Sequence, residues 1–217
     1  TCALPIYVLV LTHARPDGDA WGSAVAVRRV MERLGGSATI RLTGWLDPMM
    51  RELFPDEPVT FDDPNPPEAE AVVVVDTSAE SQLDRDAAFC RSMEDRLLVI
   101  DHHAKGDQWA HACVDATLPS TTALLAKLML EAGLSLDQDL AEPLLLGLAT
   151  DTGWFRHANA DSDAFALAGS LIAAGARRDR LYQATEGAQH PARLALMGTA
   201  LGRLEWLVEG QVAMTGL

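Results

Sequence analysis

The feature that most constrains this chain is a set of short aliphatic runs, each ending in carboxylates or imidazoles. Residues 97–100 (LLVI) lead into Asp101, His102 and His103, residues 6–12 (IYVLVLT) into His13, Asp17 and Asp19, and residues 71–75 (AVVVV) into Asp76. Unbroken β-branched and aliphatic runs of this length are the pattern of parallel strands buried on both faces. The carboxyl ends of such strands share one edge of an open α/β sheet, and ligands bind along it. A fourth apolar stretch, 144–150, closes on Asp151. The segment 137–150 is too long for a typical strand of about 5–6 residues and reads as a helix, so Asp151 arrives from a helix end. Pro143 falls in the first turns of that helix, where its missing donor costs least. Three strand ends and one helix end would then bring His13, Asp17, Asp19, Asp76, His102 and Asp151 into one crevice.

Two imidazoles and four carboxylates packed together must be relieved by protonation or by cations, and at neutral pH this many point to metal. Nitrogen and oxygen ligands without thiolate suit Mn²⁺, Mg²⁺, Fe²⁺ or Zn²⁺. Six ligands exceed what one catalytic ion needs, but they suit two ions about 3.5–4 Å apart that share carboxylates. A two-metal phosphoester hydrolase is the natural reading.

The strings His13-Ala14-Arg15-Pro16-Asp17-Gly18-Asp19-Ala20-Trp21-Gly22-Ser23, Val75-Asp76, Asp101-His102-His103 and Thr150-Asp151-Thr152-Gly153-Trp154-Phe155-Arg156 resemble, in order and spacing, the four motifs of the DHH phosphoesterases. Within that superfamily the chain is most similar to the bacterial oligoribonuclease and 3'-phosphoadenosine-5'-phosphate phosphatase (nanoRNase A) branch, over residues 7 to 217. The resemblance implies two Mn²⁺ ions, one held by His13, Asp17, Asp76 and Asp151 and the other by Asp19, Asp76, His102 and Asp151. It also implies hydrolysis of short oligoribonucleotides or 3'-phosphoadenosine 5'-phosphate. His103 would assist at the phosphate or leaving oxygen, Asp101 would orient an imidazole, and Arg156 would pair with a substrate phosphate. A homodimer is compatible with this resemblance. A manganese-dependent inorganic pyrophosphatase shares the same cluster and is the competing enzyme. A nucleotide-binding module without catalysis is the competing non-enzyme.

The fold implied is a doubly wound α/β domain, with a mostly parallel five-stranded sheet in the order 2-1-3-4-5 and helices on both faces. Its strands are 6–12, 38–42, 71–75, 97–100 and 110–114. Helices are expected at 20–34 with Asp19 as N-cap, 48–54, 81–93, 120–132, 137–150, 163–174, 178–185 and 191–203, while 55–70, rich in Pro and Asp, reads as a surface loop. The resemblance leads one to expect Ser-Thr-Gly-Glu at the start of the 120–132 helix, where this chain has Ser120-Thr121-Thr122-Ala123. His111, His157 and His190 read as surface or supporting residues, and Trp154 and Phe155 as packing. Residues 7–204 form the metal-binding domain, and 205–217 look like the opening of a second, substrate-binding domain that family members carry there. Residues 1–6 look like a translated sequencing adapter.

Composition narrows the partners. A formal net charge of −14 argues against a broad electrostatic grip on long nucleic acid, which rests on many Lys and Arg neutralising phosphates. Small phosphorylated substrates remain open. Cys2, Cys90 and Cys113 are odd in number and without paired spacing, which fits a reducing cytoplasm better than a disulfide framework. No apolar run approaches the roughly 20 residues that span a bilayer, so neither a membrane anchor nor a membrane partner is expected.

Overall fold

The computed structural model describes residues 6–61, 63, 68–187 and 191–216, so the adapter-like residues before Ile6 and His190 lie outside the described residues. The aliphatic runs form the middle of one parallel sheet. In chain order the elements are β1 (Tyr7–Leu11), α1 (Gly18–Arg33), β2 (Ser37–Leu42), α2 (Pro48–Arg51), β3 (Val59–Phe61), β4 (Ala71–Val75), α3 (Ala87–Ser92), β5 (Leu97–Asp101) and β6 (Ala112–Val114). Then follow α4 (Thr121–Glu131), α5 (Gln138–Asp151), α6 (Ser162–Ala173), α7 (Arg178–Tyr182), α8 (Pro191–Gly202), β7 (Glu205–Leu207) and β8 (Val212–Met214).

The sheet order is β3-β2-β1-β4-β5-β6, with every neighbouring pair parallel. The five expected strands stand in the expected order, and the correction is a sixth strand on the β2 edge. Its three residues pair as Ile40↔Val59, Arg41↔Thr60 and Leu42↔Phe61. Pro58 precedes it, as suits the start of an edge strand, and offers its carbonyl to the Ile40 amide at 3.0 Å. A three-residue strand among prolines and aspartates has no run long enough to register as periodicity.

Alternation along the strands divides the core in two. Val8, Val10, Ile40, Leu42, Val73, Val75 and Ile100 face α1, α4 and α5, whereas Leu9, Leu11, Val72, Val74 and Val99 face Leu83, Cys90 and Trp109. Burying each such side chain is worth roughly 1.5–3 kcal/mol. The second face carries little helix, because the expected 81–93 helix resolves into 3-10 turns at Glu80–Gln82 and Asp84–Asp86 before the short α3. Asp84, at φ 49°, breaks the helical path between them. A buried ion pair ties this turn to the sheet, with Arg41 of β2 donating to Asp86 from Nε and Nη2 at 2.9 to 3.0 Å.

Helix α5 packs backbone to backbone against α1. A Cβ on Gly22 would stand 2.3 Å from the Pro143 carbonyl oxygen, so only glycine permits the approach. Pro143 cannot donate to the carbonyl of Asp139 four residues earlier, and Arg29 Nη1 from α1 donates to that oxygen instead. The same crossing places the start of α1 beside the end of α5. After α8, β7 and β8 pair antiparallel as a sheet of their own. No helix among the described residues is long and apolar enough to cross a membrane.

Candidate metal centre

Each ligand-type side chain stands where an element ends at the carboxyl edge of the sheet. His13 follows β1 by two residues, and Asp17 is the N-cap of α1, its Oδ1 accepting from the amides of Asp19 and Ala20 at 3.0 Å. This corrects the expected cap at Asp19. With two aspartates spaced around Gly18, the earlier one fits the cap geometry, and Asp19 in the first turn is freed to reach elsewhere. Its carboxylate crosses to the N-terminus of α4 and accepts from the amides of Thr121 (2.6 Å) and Thr122 (3.0 Å) and from Thr122 Oγ1 (2.8 Å). Gly147 of α5 leaves room for that contact, since a Cβ there would lie 2.3 Å from Asp19 Oδ1 and 2.4 Å from Thr122 Cγ2. Asp76, just past β4, adopts φ 61°, a left-handed conformation that costs a non-glycine residue roughly 1–2 kcal/mol. Its Oδ1 accepts from Thr121 Oγ1 at 2.9 Å.

Three overlapping groups result, each with ligand atoms within 4.8 Å of one another: His13, Asp17 and Asp76; Asp19, His102 and Asp151; and Asp76, His102 and His103. His102 Nε2 faces Asp151 Oδ2 at 3.0 Å, Asp76 Oδ1 at 3.7 Å and Asp19 Oδ2 at 4.0 Å. On its other side Nδ1 lies 3.3 Å from the Leu118 carbonyl, which can only accept, so Nδ1 carries the proton and Nε2 presents a lone pair to the carboxylates. Nε2 is a buried polar atom without a hydrogen-bond partner. A lone pair aimed at three carboxylates is unsatisfied without a proton or a cation between them. His13 Nε2 stands 3.6 Å from Asp76 Oδ2, within the first of these groups.

The electrostatics suit a bound divalent cation. Burial, followed by the Asp151 charge, raises Asp19 to about 6 despite the hydrogen bonds from Thr122. Burial and the charges of Asp19, Asp17 and Asp151 raise Asp76 well above the usual carboxylate range. Burial works against protonation of His102, but the neighbouring Asp151 carboxylate and the Asp19 charge overcome it and lift the ring to about 9, so without a cation Nε2 carries a proton toward these carboxylates and with one it offers its lone pair. Burial lowers His13, outweighing the pull of Asp17. Among the described residues no Lys or Arg pairs with Asp19, Asp76 or Asp151. Divalent ions would replace the shared protons, and the oxygen and imidazole donor set matches that of Mn²⁺, Mg²⁺, Fe²⁺ or Zn²⁺.

Asp101 and His103 form a separate unit beside the ligands. Burial works against the Asp101 charge, but hydrogen bonds, beginning with that from His103, hold its carboxyl below the usual value. Its Oδ1 accepts from His103 Nδ1 at 2.7 Å and from the amides of His102 and His103 at 2.8 and 3.1 Å. The His103 side chain is 51% exposed against 2% for Asp76, so it faces the open crevice.

Arg156, expected at a substrate phosphate rather than at a metal, donates from Nε to the Gly153 carbonyl at 2.7 Å. His111 is exposed, and the ring of His157 sits where a Cβ on Gly153 would be. Trp154 and Phe155 do pack, against Tyr182 and Phe165. Thr121 and Thr122 were not singled out as site residues, although three hydroxyl residues in a row after a strand end are a donor-rich helix start. Asn159, whose Nδ2 donates to the Asp151 carbonyl at 3.2 Å, carried no signal.

Comparison with known proteins bears on this centre. The model of the DHH family, N-terminal domain, matches residues 7–148. The chain belongs to the DHH family. It is 30% identical over 203 residues to the bifunctional oligoribonuclease and PAP phosphatase NrnA of Thermus thermophilus, covering 91% of this chain and 58% of that protein. The corresponding Bacillus subtilis protein is 28% identical over 176 residues, covering 79% and 54%. The chain thus spans about half the length of the curated relatives it matches. Among solved structures, an exopolyphosphatase-related protein from Bacteroides fragilis superposes with a TM-score of 0.85 at 20% identity, covering 92% of this chain and 62% of that one. A putative family II inorganic pyrophosphatase from Methanococcus jannaschii gives 0.63 at 19%, covering 82% and 60%. These two likenesses concern the fold.

Proposed function

We propose that the chain carries the metal centre of a cytoplasmic phosphoesterase that hydrolyses short oligoribonucleotides, 3'-phosphoadenosine 5'-phosphate or both, with two Mn²⁺ ions. The observation that carries this reading is His102 Nε2, buried, unpartnered and aimed at Asp19, Asp76 and Asp151. His13, Asp17, Asp76 and Asp151 would hold one ion, and Asp19, Asp76, His102 and Asp151 the other. Such ions act as Lewis acids on a phosphoryl group and make water a nucleophile near neutral pH.

The chain's own residues supply the rest. Asp101, ionised, takes the Nδ1 proton of His103 as a hydrogen bond and leaves Nε2 of that ring free toward the crevice. His103 can therefore deliver a proton to the leaving oxygen at Nε2 while Asp101 steadies the imidazolium. Thr121 and Thr122 hold the Asp76 and Asp19 carboxylates in one orientation, so little reorganisation is needed when ligands enter. The reading also treats 7–204 as the metal domain and 205–217 as part of a substrate-binding unit, supported by the separate β7–β8 sheet.

Assaying a diribonucleotide, 3'-phosphoadenosine 5'-phosphate and pyrophosphate, each with Mn²⁺ and with EDTA, tests this. Metal-dependent turnover of either of the first two is expected. Preference for pyrophosphate would favour the pyrophosphatase, and binding of nucleotides without release of product would make the chain a binding module.

A further inference from the structure

We infer that the pocket formed by Trp154, Phe155, Arg156, Arg178, Tyr182 and Glu186 binds one nucleotide unit of the substrate beside the reacting phosphate, its phosphate between the two arginines and its base against Tyr182. The inference deepens the phosphoesterase reading and rests on it.

The pocket encloses about 230 Å³, below the roughly 300–1,000 Å³ of sites that take a whole small molecule. It therefore suits part of a longer ligand. Its position follows from the strap after α5. Gly153, Trp154 and Phe155 take φ of 55°, 55° and 63°, three left-handed residues in succession, and the Trp154 amide returns to the Ala149 carbonyl at 2.6 Å. Two of the three carry large side chains that disfavour this conformation, and such outliers collect at functional sites. Arg156 lies five residues past Asp151, and even a fully extended segment would span at most about 17 Å. The folded strap is shorter, which puts the pocket within reach of a dinucleotide whose bond sits at the metal centre.

Charge supplies the second, independent observation. In a chain of net charge −14 seven of the fifteen arginines are taken up by carboxylates: Arg28 and Arg29 by Glu57, Arg33 by Asp137, Arg41 by Asp86, Arg91 by Glu80, and Arg177 and Arg180 by Glu142. Among the described residues, no carboxylate lies within ion-pair distance of Arg156 or Arg178. Arg178 is held over the Tyr182 ring, 5.9 Å from its centroid, and Arg156 engages only Nε with the Gly153 carbonyl, which leaves its two terminal nitrogens to donate. Two guanidiniums against one carboxylate, Glu186, leave one net positive charge, suited to a phosphodiester. Trp154 is locked edge-on to Tyr182 at 4.9 Å and 81°, with its Nε1 on Thr185 Oγ1 at 3.1 Å. Tyr182 is thereby fixed while remaining 38% exposed, a preformed platform for a base.

The test separates this pocket from the chemistry by removing metal. In EDTA, titration calorimetry of the whole chain with AMP, adenosine and inorganic phosphate should show AMP binding most tightly. Arg178→Gln should weaken AMP by about tenfold or more, the loss of one charge-assisted contact, and leave adenosine unchanged; Tyr182→Leu should weaken adenosine and AMP alike. Both positions are exposed, and an unchanged Tm verifies folding. Equal AMP affinity in wild type and Arg178→Gln, or no AMP binding until Mn²⁺ is added, would overturn the inference. Separately, wild-type hydrolysis of bis(p-nitrophenyl) phosphate with Mn²⁺ scores the phosphoesterase reading, so a failure of either claim is seen on its own.

Discussion

The two halves of the metal centre are built differently. Around His102, Asp19 is completely buried, and two amides and a hydroxyl at the start of α4 fix its carboxylate. Around His13, Asp17 is exposed and its Oδ1 is already engaged as the cap of α1. Asp76 belongs to both groups by geometry. A cation in the buried half would meet carboxylates held in place, whereas one in the open half would compete with water and with a helix terminus. Under the two-ion reading the buried half binds more tightly, and the open half sets how readily the second ion exchanges.

The most drastic way to break this difference is to remove what the halves share. Asp76→Ala should cost more activity than the roughly 10²–10⁴ contributed by one positioned acid or base, and should weaken both ions. Steady-state turnover with Mn²⁺ and metal analysis of the same sample check this together, and retained occupancy of both sites would remove Asp76 from its bridging role. Next in size is His103→Ala, which should lower kcat by about 10²–10⁴ with both ions still bound; loss of metal in that variant would make His103 a ligand.

Much of this was legible in the sequence because the central strands are unbroken aliphatic runs whose last residues are chemically distinctive. The residues from His13 to Asp151 that the runs pointed to do converge. What escaped lacks such a run. Val59–Phe61 is three residues at an edge, and the choice between Asp17 and Asp19 as cap depends on which carboxylate α4 claims from a distance. The role of Thr121 and Thr122 is likewise a contact more than 100 residues long in sequence. Adjacency to Asp151 suggests a phosphate-binding role for Arg156, but the left-handed strap that follows Asp151 has no sequence signal beyond Gly153.

A smaller effect sharpens the comparison through pH. In metal-free protein the folded-state values of Asp19 and His102 are both raised, from 3.8 to about 6 and from 6.5 to about 9. Raised values mean the folded state holds its protons longer, so this contribution to stability is present at low pH and lost as pH rises through about 6 and then about 9. The Tm in EDTA should fall between pH 5 and 9.5, and saturating Mn²⁺ should flatten that dependence. An EDTA profile no steeper than the Mn²⁺ profile would show that protons do not substitute for ions in the buried half.

The measurement that tests the account most directly is Mn²⁺ stoichiometry by equilibrium titration, on wild type and on Asp17→Ala. Loss of the cap should cost the variant about 0.5–2 kcal/mol of stability, readable as a modest drop in Tm. The account predicts two ions per wild-type chain with unequal affinities, and in Asp17→Ala the loss of the weaker ion alone. A single ion in the wild type, or loss of the tighter ion in the variant, would contradict it.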